Sequence, residues 1–131
     1  MFGPAGHLYV YFTYGMHWCG NVVCGAEGDG AGVLMRALEP LSGLELMRAE
    51  RPLMLKDRDL CRGPARLAKS LGITGLDDAA DLVSGADGFR LLRDPSAPAS
   101  KVLSSPRIGI SKAVDEPWRW YVEGNRHVSG R

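Results

Sequence analysis

Six aromatic or polar side chains crowd into one short stretch: Tyr9, Tyr11, Tyr14, His17, Trp18 and Asn21. A flat aromatic ring accepts a second ring or a nucleobase, an interaction worth about 1–3 kcal/mol per base. Asn21 offers both a donor and an acceptor and so can discriminate between ligand edges. Arg36 stands inside the apolar run VLMRAL. A guanidinium there must find a partner, because an unpaired buried charge costs several kcal/mol. The same aromatic stretch also suits an ordinary hydrophobic core, and spacing alone leaves both readings open. No nucleophile elbow, zinc-protease helix, phosphate loop or dinucleotide-binding turn occurs in the sequence. Cys19, Cys24 and Cys61 are an odd set without C-x-x-C spacing, which suggests neither a disulfide framework nor a zinc site. No metal or cofactor is expected.

The stretch reads as a hairpin. Residues His7 to Thr13 are aromatic and β-branched, with Tyr9 and Tyr11 on one strand face and Leu8, Val10 and Phe12 on the other. Gly15 interrupts the run, which resumes over Met16 to Cys24, so the turn centres on Tyr14-Gly15 and Tyr14 stands at an exposed tip. A ring placed there gains nothing from the core. Extracting a base from a duplex requires a wedge, a stacking wall and a polar reader. Tyr14, Tyr11 and Asn21 are the respective candidates. A two-residue turn would pair Tyr11 with Trp18 and send Asn21 to the opposite face, whereas a longer turn or a bulge would unite them.

Further along, Val33 to Leu38 reads as a third strand containing Arg36. Ser42 and Glu45 have capping-box spacing, with Leu41 and Leu46 at staple positions, predicting a helix over Gly43 to Glu50 that Pro52 stops. A second helix opens at Gly63-Pro64 and closes at Gly72; Arg62 and Arg66 flank its start, either to hold a phosphate or on a solvated face. Residues Gly72 to Ser105 read as surface loop with only Phe89 to Leu92 strand-like. Arg107 to Ser111 and Trp118 to Val122 are predicted closing strands around a turn at Asp115-Glu116-Pro117. Alternation of Trp118, Trp120 and Val122 against Arg119 and Tyr121 suggests one buried and one wet face. The expected fold is α+β: one domain with a curved, mainly antiparallel sheet and two short helices.

The 131 residues, 45% hydrophobic and 24% charged, suit one compact domain rather than a disordered chain. A net charge of +1 does not by itself announce a nucleic-acid binder. Yet 12 of the 16 cations are arginine, the side chain best shaped for bidentate phosphate and base contacts. No positive leader and no apolar run of about 18 residues is present, so a soluble, intracellular protein without a membrane partner is expected.

The succession LYVY, YGM, Asn21 and VLMRALEP (residues 33–40), with KDRDLCRGP (56–64) and the closing RWYV (119–122), resembles the 3-methyladenine (alkyladenine) DNA glycosylases in order and spacing. The similarity covers nearly the whole chain. It implies a base-excision repair enzyme that flips alkylated purines out of double-stranded DNA and hydrolyses the N-glycosidic bond without a cofactor, acting as a monomer when complete. Tyr11 would stack on the flipped base, and Asn21 would guard the pocket against guanine. Tyr14 would intercalate, with Met16 and His17 against the minor groove, and Arg36 would hold the attacking water. Lys56 and Arg62 are candidate phosphate contacts. In the family the catalytic glutamate, with a tyrosine and a histidine, lies upstream of the point matching Phe2. Residues 1–131 are therefore expected to be the C-terminal portion of the domain and inactive alone, with an exposed sheet edge where an opening strand would lie. A non-catalytic nucleic-acid-binding remnant is the alternative.

Overall fold

Strand β1 (Leu8–Thr13) turns into β2 (His17–Cys24), and β3 (Ala31–Leu34) pairs on the far side of β2, all antiparallel. The computed structural model describes residues 1–54, 56–93 and 101–129. The β1–β2 turn holds Tyr14, Gly15 and Met16, and the Met16 amide donates to the Thr13 carbonyl at 3.2 Å. Each residue added to a turn shifts the pairing by one. Tyr11 therefore lies opposite Cys19, not Trp18, and Tyr9 lies opposite Asn21.

One sheet face is the core face. Leu8 and Val10 pack there with Leu60, Leu67, Ala68 and Ile73, while Trp18 and Met35 close the margin. Helix α2 (Pro64–Ser70) supplies Leu67 and Ala68. It begins, as predicted, with Pro64 at the first position, where the missing N–H has no intrahelical partner to lose. It ends in a Schellman motif: the Gly72 amide donates to the Lys69 carbonyl at 3.2 Å and the Ile73 amide to Ala68 at 2.8 Å, with Gly72 at φ +69°. That reversal drives Ile73 back into the core.

Residues 72–105 were expected to run over the surface, but the first part of this segment is built into the fold. Ala80 and Leu82 are buried. Around them, the Ala79 amide donates to the Leu8 carbonyl at 2.8 Å, the Leu8 amide to Ala80 at 2.9 Å, and the Val10 amide to the Asp78 carboxylate at 2.8 Å. This irregular stretch covers the outer edge of β1, so the bare edge expected there does not exist. Phe89 to Leu92 form no strand, although the Leu91 amide reaches the Leu82 carbonyl. Residues 94–100 of the predicted loop lie outside the described residues.

Three other expectations change. Helix α1 (Leu44–Glu50) is preceded by Gly43 in the left-handed region at φ 70°, without a side-chain cap, so the Ser42–Glu45 capping box is not made. Leu41 and Leu46 are exposed rather than stapled. Arg48 ties α1 to Asp57 through a forked pair of hydrogen bonds at 2.9 and 2.7 Å. Strand β3 ends at Leu34, so Arg36 lies just beyond it. Finally, β4 is Val102–Ser105 and pairs with β5 (Arg119–Val122) in a separate two-stranded sheet, while Arg107 to Ser111 is irregular. Pro106 lacks the amide that would continue the ladder. The burial of β5 is also inverted: Trp118 and Trp120 are exposed, while Arg119 and Tyr121 are partly covered. The Arg119 guanidinium sits 4.5 Å over the Tyr121 ring and donates to the Ser129 carbonyl at 2.9 Å and the Ser105 hydroxyl at 3.1 Å, which turns that face inward. The molecule is a single α+β domain with an open sheet.

Candidate functional site

The three-residue turn decides which side chains share the face opposite the core. Paired residues of an antiparallel ladder point the same way, so Tyr9, Tyr11, Cys19 and Asn21 lie together, and Asn21 pairs in turn with Leu34 of β3. Arg36, two residues past Leu34, is brought to Tyr11 and Cys19. Tyr9 and Tyr11 stack with centroids 5.8 Å apart and planes 15° from parallel, so Tyr9 backs the candidate stacking ring. The Tyr11 hydroxyl donates to the Cys19 sulfur, and burial followed by this contact pushes the phenol pKa up. Burial likewise raises the Cys19 thiol, leaving it a packed, unreactive group. Asn21 is buried, with its amide nitrogen 3.4 Å from the Tyr9 carbonyl.

Arg36 is the electrostatic anomaly of this face. Burial first, then the neighbouring guanidiniums of Arg119 and Arg107, lower its pKa. Its Nη1 donates to the Ile108 carbonyl at 3.4 Å, while its buried Nε has no partner. Among the described residues no carboxylate pairs with it. Three converging cations with an unfilled donor form a site that demands an anion or a polarised oxygen.

At the end of the hairpin Tyr14 is 81% exposed. Its φ of 52° lies in the left-handed region, where a bulky side chain is rare. Such strain gathers at functional positions because nothing in the core requires it. Met16 and His17 are exposed beside it. Lys56 is exposed, whereas Arg62 is engaged, donating through Nε to the Val128 carbonyl at 2.7 Å and facing Asp59 at 3.5 Å. The site thus unites Tyr11, Asn21 and Arg36 on one face. Sequence reasoning missed Cys19 as the anchor of the Tyr11 hydroxyl, and Ile108, Arg107 and Arg119 as the surroundings of Arg36. No local pattern could have placed these last three, since they come from far along the chain.

Among the described residues no three His, Cys, Asp or Glu side chains gather as a cation site would require, and no helix is long and apolar enough to cross a membrane. The pattern shared by methylpurine-DNA glycosylases matches residues 1–126. The chain belongs to that family. Three relatives, each named "Putative 3-methyladenine DNA glycosylase", illustrate the relation. The protein of Burkholderia lata is 62% identical over 130 residues, covering 99% of this chain and 63% of the relative. That of Agrobacterium fabrum is 50% identical over 129 residues, covering 98% and 63%. That of Rhodopseudomonas palustris strain HaA2 is 49% identical over 129 residues, covering 98% and 62%. This methylpurine-DNA glycosylase homologue therefore spans just under two thirds of the length of the relatives it matches.

Proposed function

We propose that the protein acts in base-excision repair, flipping alkylated purines such as 3-methyladenine out of duplex DNA and hydrolysing their N-glycosidic bond. The observation that carries this reading is the union of Tyr11, Asn21 and Arg36 on one sheet face, beside a strained, solvent-facing Tyr14. Tyr14 enters the base stack and fills the vacated space, with Met16 and His17 against the minor groove. The extruded base stacks on Tyr11, held steady by Tyr9 behind it and by Cys19 on its hydroxyl. Asn21, already using one amide hydrogen on Tyr9, presents its remaining polar atoms and leaves a guanine edge poorly matched. Lys56, and the terminal nitrogen of Arg62 not held by Val128 or Asp59, contact phosphates.

For hydrolysis, a water oxygen bonds to the sugar C1′ as the C1′–N bond breaks and the base departs with the bonding electrons; the water proton passes to a carboxylate. Arg36 holds this water and stabilises the carboxylate. By the family resemblance that carboxylate belongs to a glutamate outside these 131 residues, which are the C-terminal portion of the domain and bind DNA without releasing base.

Fluorescence anisotropy with an abasic duplex and its undamaged counterpart tests the reading. Tighter binding to the abasic duplex is expected, and equal indifference to both at low salt would sink it. Binding without base release, even when the chain is joined to the glutamate-bearing segment, would favour a non-catalytic nucleic-acid-binding protein.

A further inference from the structure

Beside the tip of the hairpin lies an open groove of about 620 Å³, lined by Tyr14 on one side and by Arg107, Gly109, Ile110, Ser111 and Lys112 on the other. Its chemistry is one-sided: two cations and no carboxylate. Among the described residues neither Arg107 nor Lys112 forms an ion pair. Unpaired cations grouped around a cleft mark a surface that meets a polyanion, because most surface arginines and lysines have carboxylates within reach.

The backbone adds to this. The amides of Gly109, Ile110, Ser111 and Lys112 donate to no protein atom among the described residues. Gly109 has φ +72°, and a Cβ built there would meet nothing within 4 Å, so the main chain is open to close approach. Successive free amides around a left-handed residue are suited to phosphate oxygens. Arg107 also approaches Arg36 closely enough to depress its ionisation, so the groove leads from the wedge toward the site face.

We propose that this groove seats the sugar-phosphate backbone of the strand that Tyr14 opens, with Arg107 and Lys112 each neutralising one phosphate flanking the displaced nucleotide. The inference rests on the glycosylase reading above and adds the path of the DNA strand and the two residues that hold it. Phosphate contacts position a duplex without reading sequence, so the groove contributes affinity equally to damaged and undamaged DNA. Discrimination stays with Tyr14 and the site face.

The test is the salt dependence of binding by the full chain to undamaged and abasic duplexes. Each lost phosphate contact reduces the magnitude of the slope of log K against log salt concentration by about 0.9. The double substitution Arg107→Gln/Lys112→Gln should reduce it by about 1.8 for both duplexes, leaving their affinity ratio unchanged. Lys112 is exposed, so Lys112→Gln alone should retain the fold and lower the slope by about 0.9 even if the double variant melts early. Arg107→Lys, which retains charge, should keep the wild-type slope. Slopes unaltered in the glutamine variants overturn the groove, and the glycosylase reading survives if Tyr14→Ala still erodes the abasic preference. Absence of salt-dependent binding to either duplex by the wild-type chain overturns both.

Discussion

Replacing Tyr14 with asparagine separates fold from function. Tyr14 is 81% exposed, so roughly a fifth of about 200 Å² of tyrosine surface is covered by protein. At about 25 cal/mol per Å², losing that contact destabilises the fold by about 1 kcal/mol. Opposing this is the left-handed backbone at φ 52°. A residue with an ordinary Cβ occupies that region at a cost of about 1–2 kcal/mol, and asparagine relieves part of it through local hydrogen bonding. The two effects nearly cancel, so the melting temperature of Tyr14→Asn should lie within about 5 °C of wild type. DNA binding should respond quite differently. Removal of one aromatic–base stack worth about 1–3 kcal/mol weakens affinity for an abasic duplex by about 5- to 140-fold at 1.4 kcal/mol per decade. Differential scanning fluorimetry and anisotropy titration on the same preparations measure both numbers. A loss of stability above about 3 kcal/mol would show that the ring belongs to the fold, and unchanged abasic affinity would remove its role as a wedge; either result refutes the reasoning.

Arg36→Ala should leave the abasic Kd within about threefold while eliminating base release by a form that includes the catalytic glutamate; a parallel loss of binding would merge two roles kept apart here. Its stability should change by less than about 1 kcal/mol, since a desolvated guanidinium with an unpartnered Nε contributes little to the fold. Leu67→Ala, at a position with no exposed surface, should destabilise by about 2–5 kcal/mol, and Gly75→Ala by about 1–3 kcal/mol because its Cβ would lie 2.7 Å from the Trp18 ring. Urea titration measures both, and neither should alter the preference for abasic over undamaged duplex in the folded protein. Burial raises the pKa of Cys19 and Cys61 above the ordinary 9.0 and that of Tyr11 above 10.0. Stability from these groups is complete below the ordinary values and declines as pH climbs from there through the raised ones. The melting temperature should fall above about pH 9, and a flat profile to pH 10.5 would contradict the buried placement of the two thiols.

What could be read from the chain alone was local. Alternation in LYVYF and the Pro64 and Gly72 punctuation depend on a residue and its near neighbours, and β1 and α2 formed where they pointed. The exposed tip at Tyr14 also follows from Gly15 interrupting an apolar run. Capping of α1 failed although Ser42 and Glu45 had the right spacing, because Gly43 adopts a left-handed conformation that withdraws Ser42 from the helix end.

Only tertiary structure decided the site. Whether Tyr11 and Asn21 share a face depends on one extra residue in a turn, and parity cannot be read from hydrophobic pattern when both strands carry aromatics on both sides. The neighbours of Arg36 come from 71 to 83 positions downstream (107 − 36 and 119 − 36). Likewise the cover over the β1 edge comes from residues 78–82, whose composition resembles surface loop. Arg119 turned its strand over, leaving the tryptophans in water, because the Ser129 carbonyl and the Tyr121 ring outweigh the local preference of indole for burial. Each of these is a contact between distant segments, and such contacts leave no periodic trace in the residues that make them.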